Sequence, residues 1–196
     1  QSGSARAKKI YKRFYSNDLI LKTAAAINEF KDKILVSYDI ILDNPWETEE
    51  DLTDTLMLLS QLSPPFFLSI FSLTFYPGTE LYKKAKEEGR IGDDLKEIYR
   101  KNYQIPRHTY LNELFFLLND ASCRGRRISP RIMYILTNRI LRRSGLSYLV
   151  YLFLAAGIFE PKIFFFRALP LGFVLDITRE ARGRMGLRWS QIGKKR

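Results

Sequence analysis

The chain has 196 residues and a mass of 23.0 kDa, with 46% apolar and 27% charged residues. That is enough for one domain with a core, and too apolar for disorder. A single cysteine, Cys123, and a single histidine, His108, exclude an internal disulfide framework and any cysteine-only or multi-histidine metal site supplied by this chain alone. The net charge of +11 is unevenly spread, with 14 Lys/Arg against 16 Asp/Glu over residues 1–100 and 18 against 5 over 101–196. The shift near residue 100 marks a candidate domain edge, and the second half attracts something anionic.

Residues 5–15 (ARAKKIYKRFY) predict a helix capped by Ser4, and 18–31 a second helix capped by Ser16 or Asn17. The β-branched run 34–42 (ILVSYDIIL) predicts a strand buried on both faces. Pro45 ends the ladder, and Thr48 with Asp51 has the spacing of a capping box that starts a helix over 49–62. A second buried strand is expected over 66–75, then a turn at Tyr76-Pro77-Gly78-Thr79, and a helix over 80–88 stopped by Gly89. Alternating strands and helices of this kind predict an α/β fold with parallel pairing. Ligands on such sheets bind beyond the C-terminal strand ends, where segments 1–4, 43–47 and 74–79 converge.

The second half is different in kind. Helices are expected over 109–121 and 130–143, the latter opened by Ser129-Pro130. Two apolar runs follow, 146–159 and 163–175, both shorter than the stretch of about 20 residues that spans a bilayer. Arginines flank them at 139, 142, 143, 179, 182, 184 and 188. Two readings stay open: a helical extension packed on the first half, or a pair of interfacial helices on an anionic membrane. Nucleic acid is the disfavoured partner, because no recognition module is visible. His108 and Cys123 read as ordinary surface residues, although neighbouring arginines could lower the thiol pKa.

Three strings carry a resemblance: Q-S-G-S before a basic helix with Arg13; Y-D-I-I-L-D-N-P-W-E-T-E-E-D-L; and F-S-L-T-F-Y-P-G-T-E-L-Y-K-K-A-K-E-E-G. In order and spacing, over roughly residues 1–95, they resemble the radical S-adenosylmethionine enzymes. Within these they are most similar to the class with an N-terminal cobalamin-binding domain. The resemblance implies the later strands of a partial (β/α) barrel of radical S-adenosylmethionine type over 1–100, followed by a basic α-helical extension over 101–196. It implies S-adenosylmethionine, a [4Fe–4S] cluster and cobalamin as cofactors, a 5′-deoxyadenosyl radical, and in some members methyl transfer. A small-molecule or lipid substrate, an electron donor, and a cytoplasmic place of work with contact at the inner membrane face complete the expectation.

The sequence lacks the family's C-x-x-x-C-x-x-C loop, and Cys123 lies outside the matching stretch. The expectation is therefore a fragment, with cluster loop and cobalamin domain upstream of Gln1. The rival is a non-catalytic basic helical protein that binds a membrane surface or another anionic partner. For the cofactor, the resemblance implies contacts from Gln1, Ser2 and Ser4 to the ribose and methionine parts, Ser4 having helix capping as its alternative. Arg13 would face the cofactor carboxylate or a barrel acid such as Asp39, or else be a solvated cation. Asn44 and Glu47 would lie beside adenine and ribose, with Glu47 alternatively a helix-dipole partner; Asp43 stands where many relatives have glycine. Leu73, Phe75 and Tyr76 would offer apolar surface to adenine, with Tyr76 the strongest of the three.

Overall fold

The computed structural model describes residues 2–94 and 98–158, and within them eight helices and two strands. In chain order these are α1 (Ala5–Ile10), α2 (Asn17–Asn28), β1 (Ser37–Leu42), α3 (Glu49–Leu59), β2 (Phe67–Ser72), α4 (Glu80–Glu87), α5 (Tyr110–Cys123), α6 (Pro130–Thr137), α7 (Arg139–Arg143) and α8 (Leu146–Ile158). The strands pair in parallel, Ser37 opposite Phe67 through Leu42 opposite Ser72, with α3 as the crossover between them. The fold is α/β. Of the described residues, those up to Val150 belong to one compact unit and those from Tyr151 to another. The run 163–175 and the arginines beyond it lie outside the described residues, as does Gln1.

The caps act as the sequence predicts. Ser4, Ser16, Thr79 and Ser129 each accept a first-turn amide, and Thr48 and Asp51 close the capping box of α3. Two helices differ from expectation. The helix expected over 5–15 stops at Ile10, because Lys12 turns left-handed (φ +53°) and the Arg13 amide reaches back to the Lys8 carbonyl at 2.8 Å. That is a glycine-type helix stop made without glycine, so no sequence signal announced it. The helix expected over 130–143 breaks at Asn138, whose extended backbone lets its side chain accept the Ile140 and Leu141 amides and start α7.

β1 is not buried on both faces. Ile40 and Leu42 are 1% exposed, whereas Ser37 and Asp39 are exposed and Ile41 is half-buried. Alternation puts Ile40 and Leu42 on one side with Leu68, in the core closed by α5 over β2. The other side, with Ser37, Asp39, Ser69 and a 41% exposed Phe67, remains open among the described residues.

Beyond the composition shift at residue 100, α5 packs on both β2 and α3 and buries Leu111, Leu114, Phe115, Leu117, Leu118 and Ala121. It also covers the outer edge of β2. The Phe66 amide donates to Ser122 Oγ (2.8 Å) and the Leu68 amide to Asn119 Oδ1 (2.7 Å), while the Ser72 amide donates to the Tyr103 carbonyl (2.7 Å). Three of the edge donors that would template another strand are thus satisfied inside the chain. Leu73, Phe75, Ala85, Ile91 and Ile98 form a second buried cluster, with Tyr11, Ile41 and Trp46 packed against it.

Candidate functional site

The segment 2–4 is strapped across α3. Its approach is so close that a Cβ on Gly3 would lie 2.3 Å from the Asp54 carbonyl oxygen and 2.8 Å from Thr55 Cα, so only glycine fits. The Gly3 amide donates to Thr55 Oγ1 (3.0 Å), and the Ser2 hydroxyl meets the same oxygen at 3.3 Å. Ser4 Oγ donates to Asp51 Oδ1 at 2.5 Å while capping α1, so the hydroxyl is 2% exposed and fully engaged. Asp51 in addition takes the Arg6 guanidinium, the Thr48 amide (2.8 Å) and the Thr48 hydroxyl (3.1 Å). Burial alone would raise the Asp51 pKa, but these donors, Arg6 foremost, outweigh it and hold the carboxyl at about 2.

Above this strap, at the C-terminal end of β1, lies a cleft lined by Ser2, Lys8, Tyr11, Arg13, Ile41 and Glu47. It brings together three residues singled out in the sequence, Ser2, Arg13 and Glu47. Burial, then repulsion from Asp51, pushes the Glu47 carboxyl up to about 7, so it exchanges a proton near neutrality. Arg13 is exposed and donates to Tyr15 Oη at 3.4 Å; Asp39 stays on the open face of the sheet. Three lining residues, Ile41, Lys8 and Tyr11, were not found by sequence reasoning. Lys8 is 7% exposed, with its ammonium bonded to Asn17 Oδ1 (2.5 Å) and the Tyr15 carbonyl (3.1 Å), and burial lowers its pKa. Tyr11 has its phenol pKa pushed far up, first by burial and then by Glu47.

Asn44 is 5% exposed and stands behind this wall. Its amide donates to Tyr11 Oη (3.0 Å), and its carbonyl oxygen accepts the Trp46 amide (3.0 Å). Asp43 takes the left-handed conformation (φ +61°), where glycine is the least strained residue, and it uses its carboxylate as a clamp. Oδ2 accepts Ser72 Oγ (2.6 Å) and the Arg107 amide (2.9 Å), and Oδ1 accepts Asn112 Nδ2 (3.0 Å). Leu73 and Phe75 are buried core, 6% and 8% exposed, and not surface for a ligand. Tyr76 is 61% exposed beside the turn at Gly78 (φ +90°) and does not line the cleft.

His108 faces Glu113 Oε1 at 3.3 Å. The Cys123 thiol is raised, not lowered: burial dominates and Asp120 adds to it, despite the arginines next in sequence. Among the described residues no group of three His, Cys, Asp or Glu side chains could hold a metal ion, and no helix is long and apolar enough to cross a membrane.

Comparison with known proteins points in one direction. The chain is 37% identical over 129 residues to the tRNA-2-methylthio-N(6)-dimethylallyladenosine synthase of Aliarcobacter butzleri, covering 62% of this chain and 29% of that protein. It is 36% identical over 98 residues to the protein of the same name in Aquifex aeolicus (49% and 21%), and 34% over 121 residues to that of Nitratiruptor sp. (62% and 25%). The chain spans less than a third of the length of these curated relatives. No family model and no solved structure matches it. The relatives support the radical S-adenosylmethionine superfamily and give no support to the cobalamin-binding class.

Proposed function

We propose that this chain forms the later strands and helices of the barrel of a radical S-adenosylmethionine enzyme that adds a methylthio group to an N6-dimethylallyladenosine in tRNA. The observation that carries the reading is the 37% identity over 129 residues to an enzyme named for that product. The disfavoured partner of the sequence reading, nucleic acid, thereby becomes the proposed substrate, and the cytoplasm the proposed place of work. Cobalamin has no part in the reading, and neither does a membrane surface.

The cleft at the end of β1, about 20 Å³, has room for little more than one water, so its residues would meet only an edge of the polar parts of S-adenosylmethionine. Ser2 and Glu47 offer acceptors to ribose hydroxyls or to the amino group, and Arg13 offers a guanidinium to the carboxylate. Once reduced by a cluster, the cofactor supplies hydrogen-abstracting radical chemistry. The chain itself does not fit that cluster: it has one cysteine, and no cluster-binding group stands among the described residues. The ligands and the electron donor come from elsewhere. What these residues contribute is positioning. Asp51 and Thr55 fix Ser2 through the strap, and Asn44 fixes Tyr11 against the cleft. Glu47, half-protonated near neutrality, can hold or release a proton at Oε toward a bound hydroxyl. Gln1, outside the described residues, and the exposed Tyr76 are further contacts proposed for the cofactor.

The test uses the natural-length protein, prepared anaerobically with iron and sulfide, with S-adenosylmethionine, a one-electron reductant and tRNA carrying N6-dimethylallyladenosine. Formation of 5′-deoxyadenosine together with the methylthio nucleoside is the expected result. 5′-Deoxyadenosine without nucleoside modification would move the substrate elsewhere, and neither product would overturn the reading in favour of a non-catalytic basic protein.

A further inference from the structure

A second cleft, of about 450 Å³, opens where the first turns of α3 and α5 face each other. Its size suits one nucleotide. Two arginines line it. Arg142 is 15% exposed at its side chain, and its Nε is buried without a partner among the described residues. Its Nη2 meets Glu49 Oε2 at 2.8 Å, and its Cζ lies 6.0 Å from the Tyr110 ring centroid. Arg107 starts from a fixed backbone, since its amide is held by Asp43 and its carbonyl accepts Asn112 Nδ2 at 2.8 Å. The Tyr110 and Tyr148 rings sit 4.6 Å apart, tilted by 43°, and Tyr148 is 46% exposed. The N-termini of an 11-residue and a 14-residue helix add positive potential on the same side.

We propose that this cleft binds one unpaired nucleotide of the RNA substrate, next to the reacting residue, with its phosphate on Arg142 and Arg107 and its base against Tyr148. The proposal rests on the tRNA reading above and extends it to a place. A phosphate oxygen would satisfy the orphaned Nε, a buried cationic donor that otherwise costs free energy. An exposed tyrosine beside paired cations is the combination that holds unpaired bases irrespective of sequence. Glu47 lines both this cleft and the proposed cofactor cleft, so the nucleotide would lie beside S-adenosylmethionine. Glu49 then acts as a stand-in anion: it occupies Arg142 until the phosphate displaces it.

The experiment measures binding of a fluorescent tRNA anticodon stem-loop to the natural-length protein across a salt series, with S-adenosylmethionine binding as the control for folding. Arg142→Gln should weaken RNA binding about tenfold and make its salt dependence shallower. Tyr148→Ala should weaken it by about five- to tenfold with the salt dependence unchanged. Glu49→Gln should tighten it, because it frees Arg142 and removes a competing charge; a merely structural ion pair predicts no gain. Unchanged RNA binding in all three variants overturns the cleft while leaving the enzyme reading intact. Failure of the unaltered protein to bind the RNA overturns the reading on which the proposal rests. Loss of AMP binding in Arg142→Gln without loss of RNA binding would assign the cleft to a free nucleotide and also overturn it.

Discussion

Replacing Asp51 by Asn removes the charge that ties the strap to α3 while keeping the side-chain shape. Its two oxygens accept from Ser4 Oγ, Arg6 Nε and Nη2, the Thr48 amide and the Thr48 hydroxyl. An asparagine offers one accepting oxygen and turns an NH2 toward donors on the other side, so part of this set is left unpaired. The carboxyl is held at about 2 against an ordinary 3.8, a difference that amounts to about 2 kcal/mol of stability carried by the ionised group. Because the folded value lies below the unfolded one, that contribution is complete above about pH 4 and fades as the pH falls toward 2. Asp51→Asn should therefore lose about 2 kcal/mol at pH 7 and show a flatter acid limb, the two proteins converging near pH 2. Urea unfolding followed by circular dichroism at pH values from 2 to 7 measures both. Parallel stability curves, offset by a constant amount down to pH 2, would refute the assignment of the charge to folding.

Gly3→Ala should cost about 2 kcal/mol or more, because its Cβ meets backbone that cannot give way, and should weaken S-adenosylmethionine binding along with stability; an unchanged melting temperature would mean that the strap is not tightly held. Glu47→Gln has the opposite pH signature to Asp51→Asn. Its folded value is raised to about 7, so the unaltered carboxyl is tolerated below about pH 4.5 and loses stability as the pH climbs through 7; the variant should melt like the parent at pH 4.5 and about 1 kcal/mol more stably at pH 8. Asp43→Ala should be destabilising, since it keeps the left-handed strain and loses three accepted hydrogen bonds, while Asp43→Gly recovers only the backbone share; a glycine variant that melts like the parent would remove the clamp from the explanation. Tyr76→Ala should leave melting unchanged, because the ring is largely exposed, so any drop in S-adenosylmethionine affinity by calorimetry reports a direct contact, and no drop removes Tyr76 from the site.

Capping residues and strand order were legible because they depend on neighbours in sequence. Ser4, Thr48 with Asp51, Thr79 and Ser129-Pro130 state where helices begin, and the structure places them there. The stops that were missed have no such marker: Lys12 and Asn138 adopt conformations for which the usual signal is glycine or proline. The cleft was half legible. Ser2, Arg13 and Glu47 were found through segments expected at strand ends, and they do meet. Lys8 and Tyr11 were missed because a basic helix reads as a solvated face; nothing local says that the Lys8 ammonium turns inward to Asn17 and Tyr15. Asn44, expected beside adenine and ribose, holds Tyr11 from behind and does not line this cleft.

The excess of arginine in the second half was the hardest feature to read, and Arg142 shows why. As a sequence signal it belongs to a basic cluster that suits lipid headgroups or RNA alike. In the structure its side chain is mostly buried, fastened to Glu49 across 93 residues and laid over Tyr110. A cation gathered for a membrane surface keeps its head in water and gains from many weak, interchangeable contacts. A guanidinium that is largely desolvated, with one nitrogen left unpaired, instead has a geometric requirement that an anion presenting two accepting oxygens at a fixed position meets and a diffuse headgroup layer does not. That difference, more than net charge, tells Arg142 apart from a membrane-facing cation, and it places Arg142 and Arg107 beside the cleft that Glu47 shares with Ser2.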